Sequence, residues 1–381
     1  MDKSKVLPPR PPQTTVKHSI LKSYLRAWWG IIVNSNRGRT ISLRYVDTCC
    51  GSGLYEPDPD EPPKPGEPYD VGSAIIGLQE LNSAVQSAQG KVKSITAKAI
   101  LINQSPTELA ALQEAIDAHV HPVPQYELKN GFFADYVDFI VQECKRSFSF
   151  VFIDPYGPTA VPFSAVAPVV SGKYTDSIIH FPYYAVEKWT GWLLKNEQPK
   201  RLAKVDALMN GPAWREIVRE ARRKNLELEP LLLDHYRKQL AAKGVLTCSI
   251  PMLFPDRKRV LYHLIFITHN ASGLAAAKHK FQEAEQYQAY LRKRAKVGRD
   301  QGELFEPAEL APADPVDLDD LAARIQGKFG GGSERFEDVA AFGLMREHVL
   351  LRHVQKALRQ LRSKGAATFD QPTWGRTISF P

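Results

Sequence analysis

Cysteine is scarce in this chain. Only four of its 381 residues are cysteine, with Cys49 and Cys50 side by side and Cys144 and Cys248 far from them. This number and spacing exclude a disulfide framework, so we expect a reducing, cytoplasmic setting. The amino-terminal residues MDKSKVLPPRPPQ also lack an apolar signal core, so we do not expect a secretory signal.

The chain also lacks long apolar runs and internal repeats. One long uncharged stretch, residues 155–172, is interrupted by Pro155, Pro158, Pro162 and Pro168. A membrane-spanning helix needs about 20 mostly apolar residues without such breaks, so we expect no contact with a membrane. The lack of repeats at periods of about 20–50 residues excludes solenoids and propellers.

What is present is an ordinary globular composition with a basic surplus. Apolar residues make up 43% of the chain and charged residues 24%, which suits two or three domains with real cores. Fifty Lys and Arg against 42 Asp and Glu leave a formal charge of +8. A modest surplus of this kind fits a polyanionic partner such as nucleic acid.

Changes in composition predict where the domains begin and end. Residues 1–16 are rich in proline and predict a disordered arm. Residues 297–332 are first acidic and then glycine-rich, and they predict a linker that contains one short helix at 318–326. The main domain is therefore expected at 17–296 and a small carboxyl-terminal domain at 333–381.

Two segments inside the main domain have an unusual composition. Residues 56–69, rich in proline and acid, must form a loop, which is either a flap over a site or a plain surface insertion. Residues 183–243 predict a helical insertion that mixes basic residues with tryptophans. This mixture suits contact with nucleic acid, and it equally suits helices with buried tryptophans and solvated charges.

Strand-like and helix-like runs alternate through the main domain. The run FSFVFI at 148–153 is almost wholly apolar, as central parallel strands are. Shorter strand-like runs at 43–49 and 97–104 each precede a helical pattern, and 245–251 with 259–268 predict a closing pair. This alternation predicts a doubly wound α/β fold, whose ligands bind beyond the carboxyl ends of the strands.

The first strand end that could bind a ligand is followed by the turn Asp47-Thr48-Cys49-Cys50-Gly51-Ser52-Gly53. It lacks the third glycine of the dinucleotide fingerprint and the Gly-Lys-Ser/Thr of a phosphate loop. It is closer to the first motif of S-adenosylmethionine-dependent methyltransferases. Asp47, Cys49, Gly51 and Gly53 are the predicted cofactor-binding residues, and a tight turn without a ligand is the alternative.

The next strand along the chain ends at Asn103. In a methyltransferase-type sheet this position usually carries an acidic residue that holds the ribose hydroxyls. Asn103 donates and accepts hydrogen bonds but is not a carboxylate. We include it among the cofactor-binding residues as a departure from the usual pattern.

The second strand end is Ile153-Asp154-Pro155-Tyr156-Gly157. An aspartate directly after a buried strand is costly unless it is solvated or partnered. In amino-methyltransferases, the Asp carboxylate and the Pro carbonyl accept hydrogen bonds from an exocyclic amine, while the aromatic ring stacks on the base. Asp154, Pro155 and Tyr156 are therefore the predicted catalytic residues, acting by positioning. The alternative is an Asp-Pro turn that caps the following helix.

With these motifs in order, the sequence resembles the three-Cys-motif partner proteins, which are named for their gene neighbourhood beside a radical-SAM-like protein. The resemblance covers roughly Lys17 to Glu283 and rests on KHSILKSYLRAWW, YVDTCCGSGLYE, FIDPYG and YHLIFITHNASGLAAAK. It implies a methyltransferase-type Rossmann fold and a radical-SAM-like partner. The form FIDPYG also resembles the fourth motif of tRNA guanine-N2 methyltransferases more than the Asp-Pro-Pro-Tyr of adenine-N6 enzymes.

From Phe336 the chain reads as helix, helix and hairpin, which predicts a winged-helix-like domain. Basic residues are interleaved with an apolar stripe on the second of these helices. They predict contact with phosphates, and a protein-docking module is the alternative. The predicted nucleic-acid-binding residues are Arg352, Lys356, Arg359 and Arg362.

These observations favour a methyltransferase-like enzyme that uses S-adenosylmethionine to modify an exocyclic amine of nucleic acid. The alternative is a non-catalytic nucleic-acid-binding or docking subunit that serves a radical-SAM-like protein. A nuclease would need a cluster of carboxylates for metal ions, and no such motif is visible. His119 and His121 lack the further ligands that a zinc site needs, so no metal is expected.

Overall fold

The computed structural model describes five segments of the chain: residues 7–56, 70–155, 161–195, 199–297 and 316–381. Tyr156 of the predicted target motif and most of the proline-rich loop lie outside the described residues, as does much of the predicted linker. None of the helices in the described segments combines the length and the apolarity that crossing a membrane requires.

The main domain consists of nine strands and ten helices within the described segments. The strands are β1 (Thr40–Asp47), β2 (Leu54–Tyr55), β3 (Asp70–Val71), β4 (Ser94–Asn103), β5 (Gln125–Asn130), β6 (Phe148–Ile153), β7 (Thr175–Phe181), β8 (Leu246–Leu253) and β9 (Val260–Thr268). The helices are α1 (Pro12–Ser35), α2 (Ser73–Ala88), α3 (Pro106–His119), α4 (Val137–Cys144), α5 (Phe163–Val170), α6 (Tyr183–Leu194), α7 (Pro199–Leu208), α8 (Ala213–Lys224), α9 (Leu228–Ala241) and α10 (Ala271–Val297), with a short 3-10 helix at Phe133–Tyr136.

Seven strands form the central sheet, in the order β5-β4-β1-β6-β7-β9-β8. Numbered along the chain without β2 and β3, this order is 3-2-1-4-5-7-6. All neighbours are parallel except at β9, which is antiparallel to both β7 and β8. The order and the single reversed strand are those of methyltransferases, so the predicted methyltransferase-type mixed sheet is confirmed. The order reverses between β1 and β6, where such sheets bind ligands.

Helices cover both faces of the sheet, which makes the fold doubly wound. Tyr45 and Phe150 face the cluster that contains α1, α2 and α10, and Tyr24 of α1 packs 5.6 Å from Phe150, centroid to centroid. Val46 and Val151, one residue along each strand, face the opposite cluster with α5 to α9. Alternate side chains of one strand therefore enter different cores, which explains why β6 is apolar throughout.

Helix α1 begins earlier than the sequence predicted. Pro12 occupies its first turn, where a fixed φ and a missing N–H are tolerated, and Thr15 and Val16 are already buried. Residues 12–16 are thus helical and packed, so the predicted arm at 1–16 is wrong in this part. The prediction of disorder rested on composition, which gives no information about the tertiary contacts that bury Thr15 and Val16.

The carboxyl-terminal unit also begins earlier than predicted. Its elements are α11 (Leu318–Phe329), β10 (Gly332–Arg335), α12 (Phe336–Leu344), α13 (Leu351–Ser363) and β11 (Thr377–Phe380). Helix α11 packs on α13, so residues 318–332 belong to this unit and the linker boundary at 332 is wrong. Strand β11 pairs with β10, while Thr368 contributes a single bridge to Ser379. The pairing partner lies 45 residues upstream, beyond the reach of local pattern.

A buried carboxylate links α1 to the amino end of β7. Asp176 is 7% exposed and accepts a hydrogen bond from the Tyr24 hydroxyl at 2.9 Å. Burial raises the pKa of Asp176 to about 6, although hydrogen bonds from Thr268, Tyr24 and Trp28 oppose the shift. The folded protein therefore retains a proton that the unfolded chain releases.

This raised pKa predicts a stability that falls as the pH rises. The contribution of Asp176 is fully present below about pH 4 and is lost as the pH passes 6, a total on the order of 3 kcal/mol. We expect denaturant unfolding from pH 4 to pH 7 to show a shallower decline for Asp176→Asn than for the wild type. Parallel profiles for the two proteins would contradict the prediction.

Candidate functional site

The turn after β1 is organised by a buried carboxylate. Asp47 is fully buried, and its carboxylate accepts hydrogen bonds from the Cys49 N–H at 3.2 Å and the Tyr45 hydroxyl at 3.3 Å. Burial raises the pKa of Asp47 to about 6, and hydrogen bonds from Ser73 and Cys49 act against that shift. Asp47 thus ties the turn to the start of α2 instead of presenting an open carboxylate.

The two glycines of this turn are required by its backbone. Gly51 has φ +59° and Gly53 has φ +89°, a region that side chains rarely adopt. A Cβ on Gly53 would lie 2.7 Å from Leu112 Cδ1. The Cys50 N–H donates to Ile102 O at the end of β4, so the turn lies across two strand ends. Cys49, by contrast, is half-buried and borders the accessible part of the turn.

Asn103 uses its amide to organise the start of α3. Its Oδ1 accepts from the Ser105 N–H at 2.9 Å, and its Nδ2 donates to Glu108 Oε2 at 2.6 Å. The half-buried Glu108 therefore supplies a carboxylate next to the strand end that lacks one. The sequence contained a signal for it, because Ser105 caps the helix by accepting from the Glu108 N–H, three residues on.

Asp154 follows β6 directly, and its carboxylate lies between the ammonium of Lys17 and the imidazole of His180. Its Oδ1 is 2.9 Å from His180 Nδ1, and its Oδ2 accepts from Lys17 Nζ. The side chains of Lys17, Asp154 and His180 are 11%, 16% and 19% exposed. Burial opposes ionisation, but Lys17 and His180 outweigh it and hold the pKa of Asp154 below its usual range. Asp154 is therefore an ionised, partnered carboxylate.

The sheet brings the two predicted strand ends together. Asp47 on β1 is in register with Phe152 on β6, and the Thr48 N–H donates to Phe152 O at 3.0 Å. The Gly51–Gly53 turn and Asp154 consequently lie at the same switch point, where open α/β sheets have their ligand-binding crevice. Pro155 is buried beside Asp154.

The structure places His180 at the site, although a histidine at the end of an apolar strand can equally be a packed core residue. Parallel pairing sets Ile179 opposite Ile153, so His180 and Asp154 are neighbours at the ends of β7 and β6. The His180 ring lies 4.1 Å from the Tyr262 ring, centroid to centroid. The Tyr262 hydroxyl is buried without a hydrogen-bond partner among the described residues. An aspartate and a histidine at adjacent strand ends were the signal for this pair.

The amino-terminal segment covers the same edge of the sheet. Besides Lys17, it contributes Arg10, which pairs with Asp70 of β3 at 2.7 Å. His18 contacts the Tyr55 ring of β2 with centroids 5.7 Å apart, and burial, reinforced by nearby cations, lowers the pKa of His18. The strands that flank the proline-rich loop are therefore anchored to the amino-terminal segment, β2 by His18 of α1 and β3 by Arg10 just before it. Sequence reasoning missed this contact because nothing in the local pattern of residues 10–18 indicates it.

Three of the four predicted nucleic-acid-binding residues form one face of α13. Arg352, Lys356 and Arg359 are exposed at spacings of four and three residues. Arg362 has a different role, because it donates to the carbonyls of Phe369 and Asp370 at 3.3 and 3.2 Å and so holds the following loop.

This face of α13 is not near Asp154. The unit that carries it is docked by Lys278 of α10, whose Nζ donates to Leu344 O at 2.9 Å. Met345 Sδ accepts from the N–H of Thr247, at the start of β8. Strand β8 runs parallel to β7, so its start lies at the amino edge of the sheet, while the crevice lies at the carboxyl edge.

The two tryptophans of the helical insertion whose side chains the structure describes both pack on the core, as the interpretation with buried tryptophans expects. Trp214 is fully buried, and its Nε1 donates to Asp206 Oδ1 at 2.9 Å, so it is a core residue. Trp189 is half-buried against the same core. No group of three metal-ligating side chains occurs within the described segments.

Comparisons with known proteins find only distant structural similarity. No family model and no curated protein matches the chain. A candidate caffeoyl-CoA O-methyltransferase from Staphylococcus aureus has 11% identity and a TM-score of 0.28, with 64% of this chain and 82% of that chain covered. A candidate transferase from Pyrococcus horikoshii has 12% identity and a TM-score of 0.25, with 64% and 62% covered. A loganic acid methyltransferase with SAH has 8% identity and a TM-score of 0.28, with 78% and 87% covered.

These similarities are weak, and the strand order carries the identification of the fold. The order 3-2-1-4-5-7-6 and the reversed seventh strand follow directly from the pairing of the seven strands. The chain is a mixed α/β protein with a methyltransferase-type Rossmann sheet.

Proposed function

We propose that this protein binds S-adenosylmethionine at the turn after β1 and transfers its methyl group to an exocyclic amine of nucleic acid. One observation carries the proposal: the glycine turn and an ionised carboxylate flank the same crevice at the switch point of a methyltransferase-type sheet. The basic surplus and the exposed cations of α13 support a nucleic acid as the target.

The residues present fit the cofactor. The turn is accessible at Cys49, and its backbone depends on Gly51 and Gly53, whose positive φ angles most side chains disfavour. Glu108 supplies a carboxylate for the ribose hydroxyls at the strand end where Asn103 cannot. When bound, S-adenosylmethionine supplies an electrophilic methyl group on its sulfonium sulfur.

Asp154 is suited to orient the amine although it already has two partners. An ionised carboxylate offers about four acceptor positions, and Lys17 and His180 use one each. Amine N–H groups that donate to Asp154 and to the Pro155 carbonyl would point the nitrogen lone pair at the methyl group. Orientation of this kind is the main contribution expected of the site.

The bond between Asp154 and His180 also prepares a proton acceptor. Because Asp154 is ionised, it accepts the hydrogen bond that His180 Nδ1 donates, and in a neutral ring the lone pair lies on the other nitrogen, Nε2. In the transfer, the N–C bond forms as the S–C bond breaks, and the nitrogen must lose one proton. His180 Nε2 is the group beside the crevice that takes it.

Calorimetric titration with S-adenosylmethionine tests the cofactor site. We expect micromolar binding by the wild type and its loss in Gly51→Val, because a side chain at φ +59° distorts the turn. Gly38→Val is the matched control, since Gly38 has φ +71°, open space around it and a position at the other end of β1. Equal binding by both variants would contradict the assignment of the turn.

The second candidate is a non-catalytic nucleic-acid-binding or docking subunit for a radical-SAM-like three-Cys-motif protein. It is favoured by Asn103, whose amide is consumed at α3, and by the occupied oxygens of Asp154. In that case α13 would serve as the docking face of a winged-helix-like unit. A folded wild type that binds no S-adenosylmethionine would favour this candidate over the enzyme.

The carboxyl-terminal unit bears on both candidates. Its element order, with α12 and α13 followed by β11 that pairs back to β10, supports the proposed winged helix. Winged helices bind nucleic acids and proteins alike, so the unit does not decide between the two functions.

A further inference from the structure

The hairpin between β8 and β9 projects from the same edge of the sheet as Asp154. His180, the neighbour of Asp154, pairs with Leu264 of β9, and β9 extends from there to Val260. Four residues of strand correspond to about 13 Å. The connection at 254–259 therefore stands beyond the crevice, on the side of β7.

This connection carries a layered arrangement of aromatic rings and cations. Phe254 lies edge-on to Tyr184 of α6, with centroids 5.0 Å apart. The guanidinium of Arg257 lies 4.3 Å from the Phe254 ring, and that of Arg259 lies 4.8 Å from the Tyr184 ring. Lys258 stands between them in the sequence, exposed like both arginines. Lys188, one turn after Tyr184 on α6, is exposed as well. We call Tyr184, Lys188, Phe254, Arg257, Lys258 and Arg259 the hairpin cluster.

The arginines of the cluster keep one side available to a ligand. The side chains of Arg257 and Arg259 are 50% and 47% exposed, although one side of each packs on a ring. A guanidinium stacked in this way can stack a base on its outer side and donate edge N–H groups to phosphate. Two acids, Asp256 and Glu187, pair with these arginines, so the four cations of the cluster exceed its acids.

The hairpin cluster, unlike α13, lies at the carboxyl edge of the sheet, the edge that carries Asp154. Thr247, which contacts the carboxyl-terminal unit, is six residues from Leu253 along β8, or about 20 Å. A nucleic acid bound on α13 alone would have its bases at the amino edge of the sheet, far from Asp154. Contacts beside Asp154 have to come from another surface, and among the described residues this cluster combines rings with exposed cations there.

We propose that the hairpin cluster binds single-stranded nucleic acid and presents its bases to the crevice at Asp154. The stacked arginines favour a single strand, whose unpaired bases have exposed faces and free exocyclic amines. The proposal rests on the proposed function for the class of target, but it does not depend on the cofactor.

Fluorescence anisotropy with a labelled 20-nucleotide single strand of mixed sequence, as DNA and as RNA, tests the cluster in the full-length protein. We expect Arg257→Ala/Lys258→Ala to weaken binding about tenfold near 0.1 M salt and to reduce the salt slope by about 1.4 for two lost phosphate contacts. Lys145→Ala/Arg146→Ala, between α4 and β6, is the matched control, because it removes an adjacent, exposed Lys-Arg pair at the amino edge of the sheet. We expect it to change affinity less than twofold.

Each other result has a distinct meaning. Equal losses in both double variants would overturn the cluster as a site and indicate only net charge. If Arg352→Ala/Lys356→Ala weakens binding and Arg257→Ala/Lys258→Ala does not, binding is assigned to α13 instead. The same holds if the matching duplex binds more tightly than the single strand and only Arg352→Ala/Lys356→Ala weakens its binding. A wild type that binds no oligonucleotide would also overturn the cluster. Calorimetry with S-adenosylmethionine on the hairpin variant reports separately on the proposed function.

Discussion

Replacing Lys17 by methionine is expected to lower the free energy of unfolding by about 3–5 kcal/mol near pH 7. The ammonium of Lys17 is a partner of the Asp154 carboxylate, and both side chains are largely buried. Removing it leaves an ionised carboxylate in a site of low polarity, with His180 as its remaining side-chain partner among the described residues. Denaturant unfolding of the variant measures the loss.

A double-mutant cycle separates the ion pair from general effects of the substitution. We expect Lys17→Met/Asp154→Asn to recover part of the loss, with a coupling energy of about 1–3 kcal/mol. Lys145→Met, which changes an exposed lysine at the end of α4, serves as the control and is expected to stay within about 0.5 kcal/mol. A double variant no more stable than Lys17→Met would contradict a direct pair.

The pH dependence of this effect has a definite sign. Because the pKa of Asp154 is lowered in the folded state, its contribution is present above the unfolded value of about 3.9 and is lost as the pH falls. The difference between wild type and Lys17→Met should therefore shrink progressively below about pH 4. This direction is opposite to that expected for Asp176, whose pKa is raised.

Asp154→Asn is expected to lower the rate of methyl transfer about 100- to 1,000-fold at saturating S-adenosylmethionine. An amide presents one acceptor oxygen and a donor NH₂, so it cannot orient an amine while it holds Lys17 and His180. Misplacement of about 1 Å in a positioned reactant costs about 100-fold. Tritium transferred from labelled cofactor to single-stranded oligonucleotides that contain adenine, cytosine and guanine measures the rate.

Two further variants sharpen this experiment. His180→Gln should lower the rate less than Asp154→Asn while leaving cofactor binding intact, because water can replace a lost proton acceptor. Asp138→Asn on the exposed side of α4 is the control and should leave the rate unchanged. Full activity in Asp154→Asn would exclude this residue from the target site, and a wild type inactive on every base would exclude the target class.

The main features of the fold could be predicted because they depend on contiguous residues. The apolar run at 148–153 and the glycine turn at 51–53 are both local patterns, and alternation of strands and helices implies a parallel sheet. The adjacency of Asp47 and Asp154 then followed from the rule that ligand sites lie at the carboxyl ends of parallel strands. Pairing of β1 with β6 confirms it.

The partners within the site were much less accessible to sequence reasoning. Lys17 lies 137 residues from Asp154, and its helix reads as an ordinary amphipathic segment. His180 could not be assigned to the site from sequence, because a histidine in an apolar run gives no sign of which neighbour it contacts. Glu108 lies five residues after Asn103 on the next helix, so the strand-end pattern does not include it, although the cap at Ser105 pointed to it.

Sequence alone determined the class of fold and the identity of the two strand ends, since both reside in short stretches whose backbone and burial preferences are local. Tertiary structure alone decided that Lys17 and His180 hold Asp154, that α13 lies at the opposite edge, and that stacked arginines border the crevice. The physical reason is that these contacts join residues distant along the chain. Their meeting depends on how helices pack over the sheet, which no local pattern encodes.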